Sequence, residues 1–364
     1  MIRKKINILH ISPAFNYSCG VSKHVYLLLK ELSEIENIQL FFITNKGDSI
    51  DRLEKLNVRV SFLNFKKRTG NPMRFLSNYL LLKKFCFEHK IDVIHTHHRY
   101  PELLAYFISK KIDIKTVSTI HSFVKRFKNI SFKSDVLIAV SKSIEKHLID
   151  MYNIRKDKII QLYNFIEPID QNDIREVEEL RNKLRIKIDD RILLFIGRIG
   201  KIKGCDVLIS AFELLLKKFD NLKLIMIGSF ESDELEPKVV SNNKIIYIYP
   251  TANIKPYYDI CDLVVLPSRV DPFPYVMLEC GLARKPFIGG RTGGIEEFIE
   301  DGVNGLLVEP GNVNELVRSI TSCLIESDKL NVHKENLYKK VKTLPSSVDY
   351  INFLLKIYYN LMEI

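Results

Sequence analysis

The sequence predicts an α/β protein with two doubly wound domains, each built around a parallel sheet. Short apolar runs alternate with helical patterns, and the alternation starts again in the second half, as expected when right-handed helical crossovers join parallel strands. A chain of 364 residues exceeds one ordinary core and fits two domains of about 150–200 residues. The strand-like runs lie near 5–11, 39–44, 92–96, 115–120, 135–140 and 158–162, and then near 191–196, 222–228, 244–248, 262–266, 286–289 and 305–308.

The boundary between the domains is expected near Phe165-Ile166-Glu167-Pro168, where the alternation is interrupted. This predicts a first domain over residues 1–165 and a second over residues 166–347. A last helix, from Val348 to about Met362, is apolar along one face and needs a surface to cover it. Ligands of such sheets bind at the carboxyl ends of the strands, so we expect a cleft between the domains at those ends.

Composition places the chain among globular proteins without a membrane span. Hydrophobic residues make up 46% of it and the mean hydropathy is −0.02, and no apolar run approaches the ~18 residues of a spanning helix. The apolar stretch behind Lys4 and Lys5 is too short for a signal peptide. Six cysteines are scattered without a C-x-x-C pair, which predicts reduced thiols and a cytoplasmic location.

Positive charge is concentrated in the first half of the chain. Residues 1–165 hold 29 lysines and arginines against 14 acidic residues, a net charge of +15, whereas residues 166–364 have a net charge of −4. This asymmetry indicates an anionic partner, either nucleic acid or the inner face of an anionic bilayer. Cations and apolar residues are mixed in segments 66–84 and 123–128, for which a solvated basic surface and membrane docking are both open.

The most informative local pattern is a pair of carboxylates eight positions apart, Asp271 and Glu279. Asp271 follows a strand end, and Glu279 lies inside the helix that Pro272 and Pro274 prepare to start. Two acceptor-only groups at this spacing suit the hydroxyls of a sugar and of a ribose, and the backbone N–H groups between them suit a phosphate. The pattern therefore predicts a nucleotide-sugar site. Its predicted donor contacts along the helix start are Phe273, Pro274, Tyr275 and Val276.

A glycine-rich turn with fixed cations stands upstream, between a buried strand and an amphipathic helix. The turn is Gly197-Arg198-Ile199-Gly200-Lys201-Ile202-Lys203-Gly204, and this arrangement can cradle a diphosphate. Arg198 offers a planar fork and Lys203 a point charge, and both would offset charge as the diphosphate leaves. Solvated basic turns are common, so it is the nearby Asp271 and Glu279 that favour the phosphate interpretation.

Histidines stand at two places where strands of the first half end. His121 directly follows the run 116–120, and His95 and His97 would share one side of a strand. A metal site at His95 and His97 is disfavoured because no carboxylate or cysteine cluster completes it. The chain also has no Asp-x-Asp pattern, which argues against a donor held by Mn or Mg. We therefore expect no metal and no other cofactor.

Taken in order, these motifs resemble a retaining glycosyltransferase of the GT-B architecture, in the large group that includes glycosyltransferase family 4. Each motif is weak alone, but the ordered set is specific. The matching pieces are Gly20-Val21-Ser22, Thr119-Ile120-His121, Ala139-Val140-Ser141-Lys142-Ser143, Gly197-Arg198 with Lys203-Gly204, Pro267-Ser268, Asp271 with Glu279, and Gly293-Gly294-Ile295-Glu296-Glu297.

The resemblance implies two Rossmann-like domains facing across a cleft, with the last helix, residues 348–364, returning to complete the first domain. The first domain would bind the acceptor and the second a nucleoside diphosphate sugar. By resemblance, the diphosphate would be bound by Arg198 and Lys203, the ribose by Glu279 and the transferred sugar by Asp271. From the first domain, Gly20 would approach the diphosphate and His121 would hydrogen-bond the donor sugar near the reacting centre.

The activity implied is transfer of a hexose- or N-acetylhexosamine-type sugar to a hydroxyl of a glycan or lipid-linked acceptor, with retention of configuration. It would serve the synthesis of cell-surface polysaccharide, lipopolysaccharide or glycolipid, in the cytoplasm or peripherally at the inner membrane face. Because no carboxylate nucleophile is evident, we favour a same-face mechanism in which the leaving phosphate oxygen takes the acceptor proton. The chain departs from the family pattern at Cys19, at Phe165 after Asn164, and at Asp271, where Glu is usual.

Two other function classes could use parts of the same sequence pattern. A GT-B epimerase or hydrolase would use the same nucleotide sugar but needs acid and base carboxylates near the sugar ring. A nucleic-acid-binding module would exploit the basic first half but predicts aromatic platforms for bases, which the sequence does not show, and leaves Asp271 and Glu279 unexplained. We therefore expect no nucleic-acid partner.

Overall fold

The computed structural model describes residues 5–65, 72–168 and 174–363. The chain divides into two compact units, one formed by Met1–Phe165 with Pro345–Ile364 and the other by Ile166–Leu344. The helices of the first unit are α1 (Gly20–Ser33), α2 (Pro72–Glu88), α3 (Arg99–Ser109), α4 (Lys142–Tyr152) and, at the end of the chain, α13 (Ser347–Leu361). Those of the second unit are α5 (Ile174–Lys183), α6 (Cys205–Leu215), α7 (Glu236–Ser241), α8 (Lys255–Ile260), α9 (Tyr275–Leu282), α10 (Gly293–Phe298), α11 (Val313–Ile325) and α12 (Ser327–Lys342).

Within the described ranges, the first unit holds one sheet of seven parallel strands in the order β3-β2-β1-β4-β5-β6-β7. Six of them were predicted and β3 was not. That strand lies at the sheet edge and is only partly buried, and charged or polar residues alternate with apolar ones along it. The strands are β1 (Ile6–Ser12), β2 (Ile38–Thr44), β3 (Val58–Phe62), β4 (Val93–Thr96), β5 (Lys115–Ile120), β6 (Val136–Ala139) and β7 (Ile159–Gln161).

The two faces of this first sheet are filled differently. On one face Leu9, Ile11 and Ile94 pack in an apolar core with residues of α2 and α3. Side chains alternate along a strand, so the neighbouring positions His10 and His95 point to the other face, where they are fully buried. One face is therefore an ordinary apolar core and the other carries buried imidazoles.

The last helix is held in the first unit. It begins at a capping box, in which Ser346 Oγ accepts from the Asp349 backbone N–H at 3.1 Å and the Asp349 carboxylate accepts from the Ser346 backbone N–H at 3.3 Å. Its inner face, with Leu354 and Tyr358 fully buried, packs against α1. This is the apolar face that the sequence showed to need a cover.

The second unit holds a sheet of six parallel strands among the described residues, in the order β10-β9-β8-β11-β12-β13. In both sheets the first strand lies centrally and the chain proceeds outward first to one side and then to the other, which is the doubly wound Rossmann order. The predicted α/β class is thereby confirmed. No helix in the described ranges is long and apolar enough to cross a bilayer. The strands are β8 (Arg191–Ile196), β9 (Leu222–Ile227), β10 (Ile245–Ile248), β11 (Leu263–Leu266), β12 (Phe287–Gly290) and β13 (Leu306–Val308).

Candidate functional site

The predicted donor residues of the second unit lie in the loops and helix that follow the strands at the switch point of the second sheet. This is the place between β8 and its neighbour β11 where the order of strands reverses, and where ligands of open α/β sheets bind. The glycine-rich turn leaves the carboxyl end of β8, and the loop that carries Asp271 leaves the carboxyl end of β11. The sequence motifs therefore meet because their strands are neighbours.

Lys203 and Asp271 form an ion pair at this point. Lys203 Nζ lies 2.5 Å from Asp271 Oδ2, and Ser268 Oγ donates to the same oxygen at 3.2 Å. The Asp271 side chain is 3% exposed and that of Lys203 19%. With the described residues, Asp271 Oδ1 makes no hydrogen bond and Lys203 uses one of its three N–H donors. Each partner therefore keeps hydrogen-bonding capacity for a ligand.

Two glycines let the loops approach closely enough to form this pair. Gly204 has a φ of +71°, and a Cβ there would lie 2.0 Å from the Pro267 carbonyl oxygen. Gly294 donates its backbone N–H to the Asp271 carbonyl oxygen at 2.9 Å, and a Cβ there would lie 2.0 Å from the Pro272 carbonyl oxygen. Any side chain at either position would push apart the loops after β8, β11 and β12.

Glu279 lies in α9, one turn beyond its start, as the proline pattern predicted. It is 3% exposed, and its Oε2 accepts a hydrogen bond from the hydroxyl of Tyr258, in α8, at 2.6 Å. Burial together with the adjacent carboxylate raises the pKa of Tyr258 well above its usual value, so this hydroxyl stays a donor. Tyr258 thus fixes the position of the Glu279 carboxylate.

Arg198 follows β8 directly after Gly197, and its Nη1 donates to Glu231 Oε1 at 3.0 Å. The two side chains are 46% and 33% exposed, so the pair contributes little to stability and its cation is accessible to an anion. The sequence did not indicate Glu231 as a partner. Neighbouring cations are also paired, Lys201 with Glu234 and Arg269 with Asp206.

The start of α9 carries the other predicted donor contacts. Pro274 is the N-cap residue, no side chain among the described residues caps it, and the first turn contains no acidic side chain. Phe273 and Tyr275 are buried and Val276 is half-buried. Any contact of these residues with a ligand would therefore be made mainly through the backbone.

Two predicted site residues, Gly20 and His121, lie in the first unit. Gly20 is the exposed first residue of α1 and follows the N-cap residue Cys19. Ser22 holds the preceding loop, since its Oγ accepts from the Asn16 backbone N–H at 2.9 Å and donates to the Ala14 carbonyl oxygen at 3.2 Å. The helix start at Gly20 is thus a fixed element.

Phe165, where the family often has glycine, fills space inside the first unit. It is fully buried, its ring centroid lies 4.5 Å from that of Tyr350 on α13, and His24 of α1 contacts it edge-on at 6.1 Å. The large side chain therefore packs between α1 and α13.

Five histidines cluster at the switch point of the first sheet, between β1 and β4. His10 is the register neighbour of His95, and His97 stacks on His95 with ring centroids 4.6 Å apart. His121, after β5, is the partly exposed member of the cluster. His24 reaches it from α1, with its ring centroid 4.7 Å from that of His121.

Hydrogen bonds connect the cluster. His10 Nδ1 lies 3.2 Å from His97 Nε2, and His97 Nδ1 lies 3.3 Å from His121 Nε2. His95 is held separately, with the Tyr358 hydroxyl 2.6 Å from Nδ1 and Thr119 Oγ1 2.7 Å from Nε2.

Ring nitrogens of two groups of three lie within 4.8 Å of one another among the described residues, and such sets can hold a metal ion. Because both nitrogens of His95 already contact hydroxyls and the other contacts have hydrogen-bond distances, we interpret the cluster as hydrogen-bonded imidazoles. The groups are His10 with His95 and His97, and His24 with His97 and His121.

Burial keeps these imidazoles neutral. It lowers the pKa of His10 to about 3, with a further contribution from the nearby His24. It also lowers the pKa of His24 to about 3, although the side-chain hydrogen bond of His24 with Asn164 acts to raise it. The pKa values of His95, His97 and His121 are lowered well below their usual value, again chiefly by burial.

Sequence reasoning missed several of these residues, and only some had a detectable signal. His10 is a polar residue inside an apolar strand, and His24 lies three positions after Val21 and four before Leu28, on the apolar face of α1. Both patterns mark a buried polar group. Tyr258 had no such signal, because its contact with Glu279 depends on how α8 and α9 pack.

Comparison with known proteins identifies the class that this fold and site define. A family model described as Glycosyltransferase Family 4 matches residues 19–169, and one described as Glycosyl transferases group 1 matches residues 176–340. These two segments make up most of the chain. The chain therefore belongs to the GT-B glycosyltransferases related to glycosyltransferase family 4.

Individual relatives agree with this assignment. A glycosyltransferase of Methanocaldococcus jannaschii is 29% identical over 89% of this chain and 90% of its own length. The N-acetyl-alpha-D-glucosaminyl L-malate synthase of Bacillus anthracis is 28% identical over 61% of this chain and 62% of its own. An Anabaena protein, solved in complex with UDP and glucose, shares the fold with a TM-score of 0.82 at 19% identity, covering 96% of this chain and 98% of that one.

Proposed function

We propose that this glycosyltransferase moves a hexose- or N-acetylhexosamine-type sugar from a nucleoside diphosphate sugar to an acceptor hydroxyl, with retention of configuration. The observation that supports the proposal is the Lys203–Asp271 ion pair at the switch point of the second sheet, with Arg198 in the same turn as Lys203 and Glu279 in the helix that follows Asp271. Two cations and two carboxylates there match the anionic and hydroxyl-bearing parts of such a donor.

The diphosphate is the part of the donor that the cations suit. Among the described residues, Lys203 keeps two N–H donors after its bond to Asp271, and the half-exposed Arg198 is ion-paired with the partly solvated carboxylate of Glu231. A phosphate can therefore bind Lys203 without breaking its ion pair and can share or replace Glu231 at Arg198. The first turn of α9, without an acidic side chain, adds backbone N–H groups for the same anion.

The carboxylates suit the hydroxyls of the donor. Lys203 and Ser268 occupy one oxygen of Asp271, which leaves Oδ1 to accept from a sugar hydroxyl. Glu279 would accept from the ribose hydroxyls. Its orientation is fixed by Tyr258, and a fixed acceptor loses less entropy on binding than a mobile one.

The reaction we propose needs charge stabilisation more than a protein nucleophile. As the bond to the sugar breaks, negative charge develops on the leaving phosphate oxygen, and Arg198 and Lys203 offset it. The sugar passes through an oxocarbenium-like state, and the departing phosphate oxygen takes the proton of the acceptor hydroxyl on the same face. No metal ion is required in this scheme.

The donor can be identified by thermal stabilisation of the purified protein with UDP, GDP and their sugars. UDP-glucose and UDP-N-acetylglucosamine are tested first. A structural relative was solved with UDP and glucose, and a sequence relative is named as an N-acetyl-alpha-D-glucosaminyl L-malate synthase. We expect one nucleotide to raise Tm by several degrees in wild type and less in Lys203→Ala. A protein that no nucleotide stabilises would contradict the proposal.

A nucleotide-sugar epimerase or hydrolase would bind the same donor. Binding alone therefore does not distinguish them from a transferase, and the products of turnover must be measured. We expect nucleotide release to depend on an acceptor, such as a glycan or a lipid-linked sugar, and the product to keep the anomeric configuration of the donor by NMR. Nucleotide release at full rate without an acceptor would identify a hydrolase. Conversion of the nucleotide sugar to its epimer would identify an epimerase.

We also infer that the acceptor is reached at an anionic membrane surface, through one face of α2. Five large apolar side chains of this helix are each more than half exposed, which is unusual for so long a helix on a soluble surface. Most of them follow the three- and four-residue spacing of a single helical stripe. They are Met73, Leu76, Leu80, Leu81 and Phe87.

The charges of α2 favour a lipid surface over a protein partner. Arg74, Lys83 and Lys84 border the stripe, and Glu88 is the one acidic residue of the helix. A positively charged first half extends the attraction, since each cation near an anionic leaflet contributes ~1 kcal/mol. The predicted basic run at 66–68 lies outside the described residues, and segment 123–128 is exposed from Lys125 to Lys128.

Vesicle sedimentation tests this membrane contact. We expect binding to phosphatidylglycerol vesicles that high salt weakens, and binding that Met73→Ser with Phe87→Ser reduces severalfold. Val348→Ser, which removes an exposed apolar residue of the first unit outside α2, is the control. Binding that ignores salt and lipid charge, or that the control reduces equally, would contradict the contact.

A further inference from the structure

Three histidines form a continuous hydrogen-bonded chain from the surface of the first unit to its interior. His121 is partly exposed, His97 is 2% exposed and His10 is fully buried. The chain runs from His121 Nε2 to His97 Nδ1 and from His97 Nε2 to His10 Nδ1, at 3.3 and 3.2 Å. Both nitrogens of the central ring are therefore used within the chain.

A chain of neutral imidazoles permits two proton arrangements. Each neutral ring carries one N–H, and each contact needs one proton between its two nitrogens. If His97 is protonated at Nδ1, then His121 carries its proton at Nδ1 and His10 at Nδ1. If His97 is protonated at Nε2, both neighbours carry the proton at Nε2. The tautomer of His121 is therefore tied to that of His10, two rings away.

The buried end of the chain decides between these arrangements. His10 Nε2 is buried and has no hydrogen-bond partner among the described residues. A proton there would be a buried donor without an acceptor, whereas a bare nitrogen would be a buried acceptor without a donor. Orphaned buried N–H groups are the rarer of the two in folded proteins. The arrangement with His10 protonated at Nδ1 is favoured.

The packing of neighbouring rings keeps His97 from rotating to a different set of hydrogen bonds. His95 stacks on His97 with an interplanar angle of 21° and is itself held by Tyr358 and Thr119. His10 stacks on the same His97 ring at an interplanar angle of 16°. Rotation of His97 would break both its hydrogen bonds.

We propose that His97 and His10 are positioning residues that hold His121 as the Nδ1–H tautomer. His121 then offers an N–H donor, rather than a lone pair, to an oxygen of the substrate. With the described residues its Nδ1 makes no hydrogen bond, so this is the nitrogen left for a ligand. The use of that donor in sugar transfer rests on the proposed function, but the tautomer does not.

Nitrogen-15 NMR of histidine-labelled protein tests the tautomer directly. In wild type we expect a pyrrole-type signal from His121 Nδ1 and a pyridine-type signal from Nε2, assigned by their loss in His121→Asn. A protonated Nε2 on His121 would overturn the proposal. A transition metal present at one equivalent in the purified protein would also overturn it, because the metal would bind the ring-nitrogen lone pairs that accept the hydrogen bonds between the histidines.

Variants separate a positioning role from a structural one. In His97→Leu we expect His121 to shift toward the Nε2–H form that a solvated histidine side chain prefers, and kcat to fall about tenfold, as for one lost hydrogen bond in the transition state. The control is His98→Asn, which removes a neighbouring histidine that contacts Ser12 at 3.5 Å and is outside the chain. It should leave the His121 signals unchanged.

The outcomes of the two proposals are distinguishable. The tautomer is read without substrate, so an inactive protein with an Nδ1–H His121 would contradict only the proposed function. An active transferase in which His97→Leu leaves the His121 signals unchanged would contradict only the histidine chain. Should His97→Leu fail to fold, the wild-type spectrum alone decides.

Discussion

The two units share one topology but place opposite chemistry at their switch points. In the first, between β1 and β4, buried neutral imidazoles contact one another and hydroxyl groups. In the second, between β8 and β11, the side chains are charged and form ion pairs such as Lys203 with Asp271. Of the nine histidines in the chain, eight lie in residues 1–165.

This difference shows that the doubly wound frame supplies the place and not the chemistry of a site. Strand order brings the loops of neighbouring strands together in both units. Whether the switch point carries charged groups or neutral hydrogen-bond donors depends on the side chains at the strand ends. Charges suit a diphosphate that gains negative charge, and neutral imidazoles suit hydroxyl groups.

The largest expected effect is a loss of stability in acid that is confined to the first unit. The folded-state pKa values of the buried histidines lie below the ordinary 6.5, at about 3 for His10 and His24. Below pH 6.5 the unfolded chain binds protons that the folded unit does not, so the free energy of unfolding falls as the pH is lowered toward 3. Four fully buried imidazoles contribute a loss on the order of 5 kcal/mol at pH 5.5.

Hydrogen exchange at pH 7.5 and 5.5 measures this loss segment by segment. Peptides from β1, β4 and α1 should lose protection at the lower pH, after correction for intrinsic exchange rates, while those from β8 and β11 keep theirs. An equal loss of protection in both units would show that the buried histidines do not make the first unit more sensitive to acid than the second.

Lys203→Ala tests the charged switch point. It removes a cation from the leaving diphosphate and leaves Asp271 buried without its ion pair, so we expect kcat/KM to fall by about 10²–10³, or roughly 3–4 kcal/mol. Lys201→Ala removes a cation of the same turn whose partner, Glu234, is as exposed as the lysine, and its activity should stay close to wild type. Equal losses in the two variants would show that general positive charge, and not the site at Lys203, drives the reaction.

A smaller effect is expected at the ribose end of the site. Glu279→Gln weakens the acceptor proposed for the ribose, and Kd for the donor should rise about 10-fold, as for one charged hydrogen bond. Tyr258→Phe removes only the hydroxyl that orients Glu279 and should raise Kd a few-fold. Titration calorimetry measures both, with Tyr257→Phe as the control. A Tyr258→Phe variant that binds like wild type would show that Glu279 needs no such support.

The last effect is on stability and concerns the neutral switch point alone. Tyr358→Phe removes the hydroxyl 2.6 Å from His95 Nδ1, and leaves a buried ring nitrogen without that partner. We expect the first unit to lose about 1–2 kcal/mol of stability, with donor affinity unchanged. A change in donor affinity would instead link the last helix to the charged site.

Local patterns in the sequence were sufficient to predict most of the fold. Inner strands such as β8 and β11 are almost continuous apolar runs, which burial on both faces favours, and the prolines at 272 and 274 mark the start of α9. Strand β3 was missed because an edge strand that is half-exposed has a mixed pattern. Its pairing with β2 is a tertiary contact with no local signature.

The candidate site was predictable only as far as its residues are close in sequence. The spacing of Asp271 and Glu279 follows from one loop and one helix. The contacts of Asp271 with Lys203 and of Glu279 with Tyr258 span 68 and 21 positions, and arise from strand order and helix packing. The histidine chain joins β1, β4 and the end of β5, so its members share a site only after the sheet has formed.

A crystal structure with the nucleoside diphosphate that best stabilises the protein tests the account most directly. We predict that the diphosphate oxygens lie within hydrogen-bond distance of Arg198 and Lys203, and that the ribose hydroxyls contact Glu279. Diphosphate bound away from the loops after β8 and β11, with Lys203 and Glu279 untouched, would contradict it.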